Sequence, residues 1–431
     1  MKTELSTNNA ERKARILVLA PTYTPAIVGA GPVRSIEGIV HHLHKEFDFK
    51  IITRDRDFGD AAPFATVRVD DWQQVGEADV FYASPASLAP RALRRLLNGL
   101  DYDLLYLNSF FLPGLSILPL VLRRFGLIKK RPVILASHGE FSPGAIGLKH
   151  TKKRCFLLMA KLLGLHKNIV WHATSELEAE DIRKWFPPLR TVGHNSDRML
   201  VAEYLRVAVD SNEAVASKIE PQRSEKKKGS LKIVFLSRIS PKKNLDYALK
   251  LLSRLTGKVT FDIYGPVDAV KDGAYWLQCQ RLMEEMPKTV AVTYKGVVEP
   301  SSVLGVFSKY DIFLLPTLGE NFGHVFAEAL FIGCPILVSD QTPWRNLKEK
   351  HAGWDLPLEQ PDAFVEVLEK LLDMDAGEYA ELSEGARRLG RLALATMNST
   401  EKIQQSRELF SYGVLLSARN RDGGIISGSE C

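Results

Sequence analysis

The sequence predicts an α/β protein made of two doubly wound, parallel-sheet domains. Three observations predict it. A chain of 431 residues exceeds what one core usually fills and suits two domains. Strand-length apolar runs alternate with helix-spaced segments along most of the chain, as they do where crossover helices join parallel strands. That alternation starts twice, at Arg15–Ala20 and, after a polar gap, at Leu231–Leu236.

In the first half, RILVLA (Arg15–Ala20) reads as a buried strand. A loop with Gly29 and Gly31 follows, then a helix with Val33, Ile36, Val40 and Leu43 at spacings of three and four. Strand, glycine loop, helix brings backbone close to a diphosphate or an acceptor. Arg34 either adds a cation to the cleft or is solvated. Further strands are expected at Lys50–Thr53, Val80–Ala83, Leu104–Leu107, Val133–Ala136 and Ile169–Thr174. Helices are expected at Pro90–Leu100, Leu115–Phe125 and Lys149–Lys167, and from Ser175, an N-cap, to Trp185. Ligands in such sheets sit beyond the carboxyl ends of strands. Asn108-Ser109 and Ser137-His138-Gly139-Glu140 occupy two of those ends. In Lys149–Lys167 a basic start (Lys149, Lys152, Lys153, Arg154) precedes Phe156, Leu158, Met159, Leu162, Leu163 and Leu165. The leucines are expected to cover the sheet; the basic end is left open between solvent and an anionic lipid surface.

From about Val207 to Ser230 buried strands disappear and charge rises, which marks an exposed linker with a solvated lysine run at Lys226-Lys227-Lys228. Strands are then expected at Leu231–Leu236, Thr260–Tyr264, Val290–Tyr294, Ile312–Leu315 and Ile336–Val338. The first ends in Ser237-Arg238-Ile239-Ser240-Pro241-Lys242-Lys243-Asn244, where Arg238 and Lys243 offer a fork and a point charge to phosphate. Gly265 ends the second strand; Gly296 and Val297 follow the third. Between the last two lies PTLGENFGHVFAEALFIGCP, with a helix expected over Phe322–Ile332, stopped by Gly333 and Pro335. Its unpaired N–H groups suit a phosphate. Glu320 precedes the helix and Glu328 lies about two turns into it; carboxylates there hold hydroxyls, or Glu320 merely caps the helix. Asp362 onward and Thr400–Tyr412 read as helices.

The Glu320-x7-Glu328 spacing and Arg238-x-x-Pro241-x-Lys243-Asn244 resemble the donor-site signatures of the retaining glycosyltransferase family 4, glycosyl transferases group 1. The resemblance covers most of residues 14–412 and is strongest over 231–340. It implies the GT-B fold: two Rossmann-like domains across a cleft, at 14–205 (acceptor side) and 230–392 (nucleotide-sugar side). A tail at 1–13, a linker at 206–229, a terminal helix at 393–415 crossing back to the first domain and a tail at 416–431 complete the division. It also implies retaining transfer of a hexose-type sugar from a nucleotide-diphosphate sugar to a glycan or lipid-linked glycan. By the same resemblance Arg238 and Lys243 stabilise the leaving diphosphate. The Glu320 loop with Asn321, Phe322 and Gly323 holds sugar and phosphate, and Glu328 holds the ribose. Backbone at Gly296 and Val297 receives the base, Gly265 borders it, and His138 and Gly31 face the reacting centre. No metal and no resident cofactor are implied. Two stretches depart from the family's usual form, Glu140–Gly144 and Val192–Ser196, the latter standing where Pro-Asn-Gly is common.

Bulk properties restrict the alternatives. No apolar run reaches the ~20 residues that span a bilayer, and no secretory signal is expected. Cys155, Cys279, Cys334 and Cys431 lack metal-ligand spacing and read as reduced thiols of a cytoplasmic protein. The net charge of +6 is uneven: residues 1–200 hold 28 Lys and Arg against 20 Asp and Glu, a surplus of 8, while the remainder carries −2. An anionic membrane face, an anionic acceptor and plain solubility all fit that surplus; nucleic acid is not expected as a partner. A sugar-nucleotide epimerase or hydrolase on the same fold, and a non-catalytic nucleotide-sugar binder, are the rival readings.

Overall fold

The structure is a computed structural model that describes residues 12–26, 30–147, 150–187, 199–203, 205, 226–268, 271–397 and 399–421. The readings at Gly29, Lys149, Val192–Ser196, residues 206–225 of the linker and Cys431 lie outside these residues.

Among the described residues the first sheet has eight strands: β1 (Ala14–Leu19), β2 (Phe47–Arg54), β3 (Trp72–Val75), β4 (Ala78–Ala83), β5 (Leu104–Asn108), β6 (Val133–Ala136), β7 (Ile169–Ala173) and β8 (Met199–Val201). Their order is β3-β4-β2-β1-β5-β6-β7-β8, parallel throughout except where β3 pairs antiparallel with β4. The second sheet holds β9 (Ser230–Leu236), β10 (Lys258–Tyr264), β11 (Val290–Gly296), β12 (Ile312–Leu315), β13 (Ile336–Ser339) and β14 (Gly353–Leu356). It is all parallel, in the order β11-β10-β9-β12-β13-β14. The central strands are apolar runs because helices cover both faces: every residue of Val133–Ala136, Ile312–Leu315 and Ile336–Ser339 is buried.

The expected parallel strands are present. β3, β8 and β14 were not anticipated: Trp-Gln-Gln-Val, Met-Leu-Val and Gly-Trp-Asp-Leu are too short or too polar to read as buried strands, and β3 lies at a sheet edge. The leucines of the helix His150–Leu162 depart from expectation. Leu157 and Ala160 are buried, but Leu158, Met159 and Leu162 point to solvent. The run is apolar almost all round, so its periodicity could not say which side meets the sheet. The lysine run also departs: Lys226 is buried, its ammonium donating to the carbonyls of Lys227 (3.1 Å) and Ser230 (2.6 Å).

The chain ends by returning. Helix Ala376–Met397 packs on the second domain, where Ser383 donates to the Gly333 carbonyl at 2.8 Å. The next helix runs from Thr400 to Arg421, so residues 393–397 belong to the helix before it and the last helix extends beyond 415. That last helix lies on the first domain. Phe410 is buried with its ring 5.4 Å from Tyr106 and 5.8 Å from Phe49, and Arg407 binds Glu46 at 2.8 Å. Gly413 gives close approach there, since a Cβ would lie 2.9 Å from the Leu104 side chain.

Candidate active site

The second sheet reverses its winding between β9 and β12. At such a point the loops leaving two adjacent strands diverge and open a crevice at their carboxyl ends. The loop after β9 carries Arg238, Lys242 and Lys243; the loop after β12 carries Glu320 to Gly323. Backbone bonds hold them together: Leu318 N–H donates to the Lys242 carbonyl at 2.8 Å, and the Asn244 amide donates to the Pro316 carbonyl at 2.9 Å. Asn244 adopts φ +60°, a left-handed value that asparagine tolerates, and turns the chain into the helix Leu245–Leu252.

The charges at this crevice are unevenly paired. The Lys243 ammonium binds the Glu320 carboxylate. Burial alone would raise the pKa of Glu320, but Lys243 and Lys242 outweigh it and hold the carboxyl below its usual range, so it is ionised at neutral pH. Lys242 was not singled out from sequence. Burial, opposed by Glu320 and reinforced by Lys243 and Arg238, lowers its pKa. Among the described residues neither Lys242 nor Arg238 has an ion-pair partner, and Arg238 Nε is buried without a hydrogen bond. Two cations therefore face the crevice without an ion pair.

The helix after the second loop is His324–Phe331, two residues shorter at its start than expected, because Gly323 turns the chain at φ +72°. A Cβ at Gly323 would lie 2.4 Å from the Phe326 ring, so that ring and the turn together require glycine. Glu328 is consequently about one turn into the helix, not two. Trp344 Nε1 donates to the Phe322 carbonyl at 2.6 Å and fixes the loop from behind.

The first domain supplies the opposite wall. His138 stands at φ +48° just past β6, and burial pulls its pKa down to about 4, against the opposing charge of Glu178. Glu178 anchors this loop. It accepts from Ser137 Oγ at 2.7 Å, Gly139 N–H at 2.6 Å, Thr174 N–H at 2.9 Å and Thr174 Oγ1 at 2.6 Å. Burial would raise its pKa, yet these bonds hold it below the ordinary range. Its sequence signal was the capping pattern Ser175-x-x-Glu178, whose serine does accept the Glu178 N–H at 3.2 Å. Ser109 does not face the cleft as expected: its hydroxyl donates to Glu140 at 2.6 Å, and Glu140 also receives the Phe110 N–H at 2.6 Å. Asn108 is buried beside it.

The two walls touch. A Cβ at Gly139 would stand 1.8 Å from Asn321 Oδ1, and one at Gly144 would stand 1.9 Å from the Leu318 carbonyl oxygen. Arg34 is no solvated arginine: its guanidinium binds Glu328 across the cleft at 2.6 Å. Between the walls lies a cavity of about 420 Å³, within the ~300–1,000 Å³ usual for small-molecule sites. His138, Gly31, Arg238, Lys243, Gly265, Val297, Glu320, Asn321, Phe322, Gly323 and Glu328 all line it, joined by Lys242, Arg34 and Phe58. Gly296 does not: it sits behind Val297, and its carbonyl accepts the Gly265 N–H at 2.8 Å.

Residues 217–389 match the model of the family described as glycosyl transferases group 1. A Klebsiella pneumoniae protein described as an uncharacterized 41.2 kDa protein in the cps region is 28% identical over 138 residues, 32% of this chain and 35% of that protein. The gpi3 subunit of the Schizosaccharomyces pombe phosphatidylinositol N-acetylglucosaminyltransferase is 27% identical over 173 residues, 39% of this chain and 37% of that protein. The matched stretch thus spans about a third of the length of these curated relatives. Among solved structures, Anabaena Alr3699/HepE in complex with UDP and glucose superposes with a TM-score of 0.62 at 14% identity, over 93% of this chain and 100% of that one. At that identity the likeness establishes the fold, which is GT-B. The group 1 region holds both switch-point loops and their charges.

Proposed function

We propose that the protein is a retaining, metal-independent glycosyltransferase that moves a hexose-type sugar from a nucleotide-diphosphate sugar to a glycan or lipid-linked glycan. The observation that carries this reading is the cluster of Arg238 and Lys242, neither in an ion pair, beside Lys243 at a helix N-terminus in the switch-point cleft. A diphosphate fits such a place because it brings two or more negative charges and matches both cations and free N–H groups. When the bond between the sugar's anomeric carbon and the diphosphate oxygen breaks, the electron pair leaves with the diphosphate. Arg238, Lys242 and Lys243 stand where that charge grows, and so do the work that a divalent ion performs in other transferases. Glu320, kept ionised, accepts sugar hydroxyls. Glu328 exchanges Arg34 for a ribose hydroxyl or shares it. His138, neutral at pH 7, offers a hydrogen bond to the sugar from the other wall, and Val297 borders the base. The relatives lend support by description: one is an N-acetylglucosaminyltransferase subunit, and one holds UDP and glucose.

The test is a thermal-shift screen with UDP-, GDP- and ADP-sugars, followed by product analysis by NMR with and without glycan acceptors. A stabilising donor, a glycoside with the donor's anomeric configuration and turnover unaffected by EDTA are expected. Inverted product, a metal requirement or sugar released equally well without acceptor would reject the respective part of the reading, the last favouring a hydrolase.

A further inference from the structure

The surplus positive charge of the first half is not spread over it. Residues 104–175 hold eleven lysines and arginines and a single carboxylate, Glu140, which is turned inward onto Ser109, Phe110 and Phe111. The same stretch exposes large apolar side chains that a water-soluble surface normally hides. Leu162 is 87% exposed, Leu158 62%, Phe125 61% and Met159 54%, with Leu127 and Leu163 also open. The elements that carry these side chains are tied to each other. Arg124 Nε donates to the Leu163 carbonyl at 2.9 Å, joining the end of helix Leu118–Arg124 to the end of helix His150–Leu162. The exposed cations Arg124, Lys130, Lys152 and Arg154 lie on these same two segments. Lys153 does not take part: its ammonium donates to the Ala145 carbonyl at 2.6 Å and lies over the Phe111 ring.

We infer that this face docks on an anionic lipid bilayer, with Phe125, Leu158, Met159 and Leu162 entering the headgroup boundary and the cations contacting lipid phosphate. An apolar patch ringed by one sign of charge has the two properties such a surface selects: apolar side chains lose water on insertion, and lysines and arginines are attracted to anionic headgroups. A second copy of the chain would bring the same cations against themselves, so charge complementarity favours lipid over self-association. The placement has a consequence for substrate entry. The helix follows directly on Pro143–Gly147 and the His138–Gly144 loop that walls the cleft. A bilayer on this face therefore lies within one short helix of the cleft, where a lipid-linked acceptor would arrive.

The test uses the full chain, without donor or acceptor, so its outcome does not depend on the proposed activity. Co-sedimentation is measured with vesicles of phosphatidylcholine alone and with phosphatidylglycerol added. Binding is expected to the anionic vesicles, to weaken as salt rises, and to drop at least tenfold in a Lys152→Glu/Arg154→Glu variant and in a Phe125→Ser/Leu158→Ser/Leu162→Ser variant. Thermal unfolding of both variants confirms that they are folded, as expected for exposed positions. Absence of binding at low salt, equal binding to both vesicle types, or folded variants that bind like the parent would overturn the inference. Loss of a dimer in the apolar variant, with vesicle binding unchanged, would assign the face to a second copy instead.

Discussion

His138 is uncharged at neutral pH, since burial holds its pKa at about 4 against an ordinary 6.5. The neighbouring His172 is shifted the same way by burial, with its ring bonded to the Tyr106 hydroxyl at 2.9 Å and the Ala202 carbonyl at 2.8 Å. The unfolded chain therefore takes up protons between about pH 6.5 and pH 4 that the folded chain refuses, so stability falls as pH drops through that window. The unfolding midpoint should fall from pH 7 to pH 5, and His138→Asn, which keeps the left-handed backbone, should flatten that fall without abolishing it. An unflattened profile would put the linkage elsewhere. At this scale the sequence showed which residues bear charge, but not what each one meets. Arg238, Lys243, Glu320 and Glu328 stand in short motifs whose spacing is local. The partners of Glu328 and Gly139 are 294 and 39 residues away, Arg34 and Glu178 respectively, and only the fold brings them together.

Among the elements, the loop His138–Gly144 carries the contact between walls. Gly139→Ala would combine a left-handed backbone at φ +69° with a Cβ driven into Asn321. Backbone strain alone costs roughly 1–2 kcal/mol, and the Asn321 side chain has to move away from its place between the walls. Gly147→Ala is the control, because no heavy atom lies within 4 Å of its Cβ and its φ is ordinary. The first variant should lower the unfolding midpoint and raise the donor KM; the second should do neither. Equal behaviour of the two would mean that the walls do not need this contact. The same element shows where sequence stops informing. Val133–Ala136 and Ile312–Leu315 are bounded correctly because four apolar residues buried on both faces leave no other reading. The start of helix His324–Phe331 was misplaced because the apolar spacing continues back to Phe322, while the turn at Gly323 is set by the Phe326 ring. The exposed leucines of His150–Leu162 were assigned inward because an apolar run states its hydrophobicity and not its direction.

At the scale of the molecule, the fold places two loops of one domain and one loop of the other around a shared charge problem. The second sheet's strand order creates the crevice, the interdomain glycines let the walls close, and the returning helix Thr400–Arg421 fastens the end of the second domain to the first. In the proposed reaction the cations of the β9 loop neutralise a departing diphosphate. Such charge grows as the bond breaks, so these groups matter more in the transition state than in the ground state. The direct measurement is the steady-state rate of nucleoside diphosphate release with the donor found by the stability screen, for the parent, Arg238→Ala, Lys243→Ala and the double variant. Each single variant should stay folded and lose on the order of 10²–10³ in kcat, and the double variant should lose less than the product because both side chains serve one leaving group. Single variants with parental kcat, whether or not KM rises, would contradict the claim.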